Sequence, residues 1–244
     1  MKVTEIAGLR FGEGLPKICV PLTAGDLEAL SEEARLARDL PADLYEWRVD
    51  GFTGSVELGL QAIRRHIPEA VLLCTLRTKA EGGSADVNAD AYEEKLNELI
   101  ALGGFQLIDI ELCWGEETVS RLVEKAKAKD LGVVISKHDF EKTPPPGEIV
   151  SALRQMHRLG ADLPKVAVMP QSPRDVLELL NVTLWAAEEL GPMVTMAMGG
   201  LGKLTRVAGQ VVGSAMTFGA GQTASAPGQI GAEDLKAILE DVSF

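Results

Sequence analysis

Histidine and cysteine are scarce in this chain: His66, His138 and His157 are its only histidines, and Cys19, Cys74 and Cys113 its only cysteines. No histidine stands at ligand spacing from another histidine or a cysteine, so no metal site is expected. The cysteines are odd in number, widely separated, and each falls inside a strand-like stretch. That pattern favours buried, reduced thiols over disulfides. Positive charge is also short, with 24 Lys+Arg against 36 Asp+Glu, a net charge of −12 and a pI near 4.8. A surface that tracks phosphates needs clustered cations, so neither nucleic acid nor an anionic membrane is an expected partner. No apolar run approaches the length that spans a bilayer, and the opening MKVTEIAGLRFGEG lacks the apolar core of a signal peptide, so a cytoplasmic location is expected. No G-x-G-x-x-G follows the first strand-like run, which argues against an open nucleotide-binding sheet.

What the chain does have is alternation. From Lys17 onward, short β-branched or apolar runs alternate with amphipathic helical stretches: KICVPLT, DLYEWRVD, VLLCTLRT, FQLIDIEL, GVVISKHDF, LPKVAVMP, MVTMAMG and SAMTFGA each precede a helix-like segment. Strands joined by helical crossovers form a parallel sheet, and eight such units fit a closed (β/α)8 TIM barrel. Residues 1–16 carry Gly8, Gly12 and Gly14 between short alternating runs, the pattern of a β-hairpin closing the bottom of the barrel. No low-complexity linker interrupts the chain, so residues 1–244 are expected to form a single domain.

In a barrel the chemistry collects at the C-terminal ends of the strands. Lys165 lies in LPKVAVMP, where alternation places it with Leu163, Ala167 and Met169 and opposite Val166 and Val168. An unpaired ammonium among apolar side chains loses hydration and yields a nucleophilic free amine, the profile of a Schiff-base lysine. A lysine snorkelling from a strand end to water is the plainer alternative. In YEWRVD, alternation puts Glu46, Arg48 and Asp50 on one face, where charges inside a barrel must pair with one another or with a ligand. Arg77 in RTKAEGG offers a planar fork for a carboxylate or hydroxyl pair, and Gly82 and Gly83 allow close backbone approach. Asp109 and Glu111 in IDIEL are expected to pair with inner-face cations. His138 ends the fifth strand, next to the strand carrying Lys165, where it can shuttle protons. Met196 and Met198 supply an apolar wall, Arg206 an anion contact, and TASAPGQ, from Thr223 to Gln229, a polar loop after the last strand.

Taken together, EWRVD, RTKAEGG, the KHDF strand end, LPKVAVMP, the segment from Met196 through TRVAG, and ASAPGQI resemble the type I 3-dehydroquinate dehydratases, (β/α)8 enzymes of the shikimate pathway. The resemblance runs over nearly the whole chain. It implies syn elimination of water from 3-dehydroquinate, a small-molecule substrate, through an imine and without a cofactor. It further implies Lys165 as the Schiff-base lysine, His138 as proton donor and acceptor, and Glu81 as the carboxylate orienting that histidine. Arg206 would hold the substrate carboxylate, while Glu46, Arg48, Arg77, Ser225 and Gln229 would contact substrate. A homodimer is implied as well. Two positions depart from the family pattern: Pro21 and Ala197 stand where serine is common. Alternatives that keep the barrel are a class I aldolase-like enzyme acting on a sugar phosphate and a silent barrel that binds a metabolite without turning it over.

Overall fold

A computed structural model describes residues 2–222 and 224–243 of the chain. Strand-to-strand crossovers occupy most of the length. In chain order the strands of the main sheet are β3 (Lys17–Leu22), β4 (Leu44–Arg48), β5 (Val71–Thr75), β6 (Leu107–Glu111), β7 (Gly132–Asp139), β8 (Leu163–Val168), β9 (Val194–Ala197), β10 (Met216–Ala220) and the two-residue β11 (Ile230–Gly231). Between them run α1 (Leu27–Ala37), α2 (Val56–His66), α3 (Ala89–Leu102), α4 (Glu116–Lys127), α5 (Pro146–Arg158), α6 (Pro173–Leu190), α7 (Lys203–Val207) and α8 (Gly209–Val212), with α9 (Ala232–Asp241) last. Every ladder in this sheet is parallel, in the order β11-β10-β3-β4-β5-β6-β7-β8-β9.

The sheet curls into a (β/α)8 barrel. Among the described residues the β9 and β10 edges meet at a single bridge, Met193 to Ser214, where the Ala215 N–H donates to the Met193 carbonyl at 2.7 Å. The Ser214 hydroxyl accepts from the Thr195 N–H at 3.1 Å. A side chain thus completes a seam that backbone pairing leaves open.

Before the barrel, β1 (Thr4–Ile6) and β2 (Leu9–Phe11) form the antiparallel hairpin expected from the sequence. Its two central residues, Ala7 and Gly8, both have positive φ (49° and 81°), the turn geometry that matches strand twist. Ile6 and Phe11 are buried against Cys19, Leu44, Leu73, Leu107, Val134 and Leu163, so the hairpin plugs the N-terminal mouth.

Because side chains alternate along a strand, the inner face of each strand reads as a ladder of every second residue. Leu44 is followed inward by Glu46 and Arg48, Leu73 by Thr75 and Arg77, Leu107 by Asp109 and Glu111, Val134 by Ser136 and His138. The outward residues, among them Val20, Trp47, Cys74, Ile110, Ile135 and Val168, pack under the helices in the larger apolar cluster. The lower interior is oil; two residues further along each of these strands it becomes polar, with Glu46, Thr75, Asp109 and Ser136.

Three expectations need correction. β4 ends at Arg48 and the chain turns at once into a 3-10 turn over Val49–Gly51, so Asp50 lies beyond the strand rather than on its inner face. Cys113 is exposed in the 3-10 turn Leu112–Trp114 after β6, not buried in a strand; Cys19 and Cys74 are buried as expected. The helical stretch after β9 is broken into α7 and α8. A Cβ on Gly209 would stand 2.5 Å from Pro16 Cγ, so the glycine at the break permits close approach to the segment before β3. No helix among the described residues is long and apolar enough to cross a membrane.

Candidate active site

Lys165 projects from β8 into the upper barrel and is 3% exposed. Its Nζ lies 3.4 Å from Asp109 Oδ2 on β6 and 3.6 Å from Glu46 Oε1 on β4, with the Phe218 ring centroid 4.6 Å away. The ammonium is therefore paired with two carboxylates, and the argument from an isolated cation in an apolar place does not apply to it.

Arg77 is the hub of the charge network. Its guanidinium lies 2.8 Å from Asp109 Oδ2, 2.9 Å from Glu111 Oε1 and 3.3 Å from Glu81 Oε2, and it donates to the Ser136 hydroxyl at 2.9 Å. Glu111 also accepts from the Thr78 N–H (2.9 Å), the Thr78 hydroxyl (2.7 Å) and Trp114 Nε1 (3.1 Å). These contacts fix the turn after β5 that carries Glu81. The turn is tight: a Cβ on Gly83 would fall 2.1 Å from the Arg77 carbonyl, and one on Gly82 would strike the Phe140 ring at 2.2 Å. Both glycines of RTKAEGG are thus held by close approach.

Glu81 and His138 form a dyad, with Nδ1 2.8 Å from Glu81 Oε2. With Glu81 ionised, the same oxygen accepts the His138 backbone N–H at 3.1 Å and faces Arg77, so it acts as acceptor and Nδ1 carries the ring proton. Nε2 is left with its lone pair. Burial pushes the Glu81 carboxyl up to about 8 despite Arg77, with Glu111 and Asp109 adding to the push. Burial, and after it the charges of Arg77, Lys165 and Arg48, holds the imidazole well below its ordinary value, so His138 is uncharged at neutral pH.

Arg48 is tied to Asp50 through Nε (2.7 Å) and Nη2 (2.8 Å), and Asp50 also accepts the Arg77 and Ser84 N–H groups. Asp50 is a staple between two loops. Arg206, on α7, is 1% exposed; its Nη2 donates to the Pro227 carbonyl at 3.2 Å, and its Nε has no hydrogen-bond partner among the described residues. Burial lowers its pKa to about 10, which leaves it cationic and, among the described residues, without a carboxylate partner. Ser225 and Gln229 bind each other: the Ser225 N–H donates to Gln229 Oε1 at 2.7 Å and Gln229 Nε2 to Ser225 Oγ at 2.9 Å. Thr223, in the same loop, lies outside the described residues.

One cleft at the C-terminal end of the barrel is lined by all nine site residues named from the sequence: Glu46, Arg48, Arg77, Glu81, His138, Lys165, Arg206, Ser225 and Gln229. Met196 and Met198 line it too, with Phe218 and Phe140, which the sequence reading left out. Phe218 could have been found by counting two residues on from Met216 in SAMTFGA. Pro21 and Ala197 are not among the lining residues. Glu81, Glu111 and Cys113 bring ligand-type atoms within 4.8 Å of one another, yet Arg77 already touches both carboxylates and supplies the cation there.

A profile of the type I 3-dehydroquinase family matches residues 18–243. The chain is 46% identical to a 3-dehydroquinate dehydratase of Listeria monocytogenes serotype 4b over 246 residues, 98% of each chain. It is 46% identical to the enzyme of that name from Bacillus licheniformis over 98% of this chain and 96% of the relative. Among solved structures, the type I 3-dehydroquinate dehydratase of Clostridium difficile with covalently modified comenic acid superposes with a TM-score of 0.94 at 40% identity, covering 99% of this chain and 98% of the other.

Proposed function

The chain belongs to the type I 3-dehydroquinase family and is a 3-dehydroquinate dehydratase, a hydro-lyase of the shikimate pathway; we propose that it works through an imine on Lys165, with His138 as the proton shuttle. The observation that carries this reading is the meeting in one cleft of a buried lysine and a neutral histidine whose Nδ1 is committed to Glu81.

In this reading His138 Nε2 takes a proton from the Lys165 ammonium, the free amine adds to the C3 carbonyl of 3-dehydroquinate, and the imidazolium returns that proton to the departing carbinolamine hydroxyl. The hydroxyl leaves as water, giving the iminium. The iminium is a stronger electron sink than the ketone, so His138 Nε2 can take the C2 proton, leaving an enamine. Electrons returning from the enamine expel the C1 hydroxyl, to which the same imidazole gives back the proton on the same face. Water then hydrolyses the product iminium, releasing 3-dehydroshikimate and the amine. The net change is loss of one water. Glu81 keeps the imidazole in the tautomer that has Nε2 free.

Arg206, a buried cation with a vacant Nε–H, is assigned to the substrate carboxylate, and Glu46, Arg48, Arg77, Ser225 and Gln229 to its hydroxyl and carboxylate oxygens. A single domain over residues 1–244, a cytoplasmic location and a homodimer belong to the same proposal. The free thiols fit a reducing compartment, and sedimentation reads the dimer.

Intact-protein mass after incubation with 3-dehydroquinate and sodium borohydride tests the mechanism. A ligand-sized adduct is expected on the wild type and none on Lys165→Ala, which is expected to fold and not to turn over. Wild-type-like activity in Lys165→Ala, or no adduct on the active wild type, overturns the imine.

A further inference from the structure

Asp109 sits one layer beneath the cleft. It is fully buried and is not among the residues lining the cleft, so it has no route to substrate. Even so its carboxylate is held in place on every side: Oδ2 by Arg77 (2.8 Å) and Lys165 Nζ (3.4 Å), Oδ1 by the Ser136 hydroxyl at 2.6 Å. Burial alone would raise its pKa; Arg77, Lys165 and Ser136 outweigh burial and keep it ionised. The other carboxylate near the lysine, Glu46, accepts from the Thr75 hydroxyl at 3.0 Å but faces the cleft, where ligand groups compete for it.

We propose that Asp109 is the standing counter-ion of the lysine nitrogen, and that its role is to keep the imine protonated through turnover. The proposal rests on the imine reading given above. Over the reaction the nitrogen is charged as ammonium, neutral as the attacking amine, charged as iminium, neutral as enamine and charged again as the product iminium. A fixed carboxylate beneath it favours each charged state. In particular it opposes loss of the N–H proton, which would leave a neutral imine, a poor electron sink. The same charge opposes the enamine and favours the step in which the hydroxyl departs and the iminium re-forms.

The other groups around this pair leave that role to Asp109. Cys19 and Cys74 are held uncharged by burial, as is Tyr92 on α3, and His138 is neutral. Arg77, the other cation in contact with Asp109, is already bracketed by Asp109, Glu111 and Glu81, and Arg48 is paired with Asp50. Glu46 is the alternative source of counter-charge.

The test reads the C=N stretch by Raman spectroscopy, in H2O and D2O across pH, for wild type, Asp109→Asn and Glu46→Gln loaded with 3-dehydroshikimate. A protonated imine shifts in D2O; a neutral one does not. The wild-type shift is expected to persist well above the pH at which the imine of a simple primary amine with the same ketone loses it in water. In Asp109→Asn the loss is expected at a pH lower than wild type by about one unit or more, tenfold in proton affinity, and by more than in Glu46→Gln. A wild-type imine that loses its proton like the free one overturns the proposal even where Asp109→Asn does not fold. So does an Asp109→Asn limb within a few tenths of wild type, or a larger movement in Glu46→Gln. Borohydride separates the two readings: no adduct on wild type defeats the imine itself, whereas an adduct with an unmoved limb defeats only the role of Asp109.

Discussion

The lower and upper halves of the barrel interior are built from the same strands and do opposite things. Below, Leu44, Leu73, Leu107, Val134 and Leu163 meet the hairpin residues Ile6 and Phe11 in a dry layer. Each such side chain contributes about 1.5–3 kcal/mol by leaving water. Above, the next inward residues are Glu46, Thr75, Asp109, Ser136 and Lys165, which are also buried but are satisfied by one another and by Arg77. Burying ions is costly unless geometry and hydrogen bonds compensate, so the upper layer is held by what lies beneath it rather than by its own pairing. The barrel separates stability from chemistry by a step of two residues.

Substitutions in the two layers should therefore fail in different ways. His138→Ala is expected to cost about 10²–10⁴-fold in kcat, measured by product absorbance, while thermal unfolding stays near wild type. A loss of only a few-fold would put the proton shuttle elsewhere. Leu107→Ala in the lower layer should do the reverse, losing about 2–5 kcal/mol in denaturant unfolding with activity per folded molecule within a few-fold of wild type. A large fall in kcat with unchanged stability would erase the distinction between the layers.

The smallest effect is the most diagnostic. The Glu81 carboxyl has a folded-state pKa raised above its unfolded value, to about 8. Its contribution to stability is fully present below the unfolded value near 4.5 and is lost as pH rises through about 8. In the proposed mechanism the carboxylate opposite Nδ1 is ionised, so activity is expected to move the other way, falling as the dyad takes up a proton. Glu81→Gln is expected to flatten both trends: its unfolding midpoint should gain on wild type as pH goes from 5 to 9, and its acid limb in kcat/KM should disappear. A wild-type stability that rises over that range contradicts the assignment.

The barrel and its order of units are legible in the sequence because each unit is local: an apolar run, a turn, an amphipathic stretch. The strand-end residues are legible for the same reason, since alternation places Glu46 with Arg48 and Arg77 two residues beyond Thr75. What local pattern cannot give is where a strand stops. β4 ends where its partner does, in the pairing of Arg48 with Thr75, and that register sends Asp50 into a turn. Nor can it give pairing across the barrel. Lys165 reads as an isolated cation within LPKVAVMP because the carboxylates that meet it, Glu46 and Asp109, come from β4 and β6. Cys113 reads as strand because IDIELCW is apolar on both sides of the point where β6 ends.

The register of β10 with β3 carries a consequence for the order in which this molecule comes into being. Neighbouring strands elsewhere in the barrel follow one another directly in chain order, so their pairing closes shorter loops. Met216, Thr217 and Phe218 instead pair with Lys17, Ile18 and Cys19, from opposite ends of the chain. Closing a long loop costs more entropy and comes late in folding. A chain emerging from the ribosome can lay down β3 through β8, and with them Lys165 and its carboxylates, before the ring exists. Phe218, the aromatic face over the lysine, Arg206 and the Ser225–Gln229 pair all arrive after β8. The enzyme is thus assembled with its charges first and its enclosure later, and it gains a closed reaction chamber only when β10 meets β3.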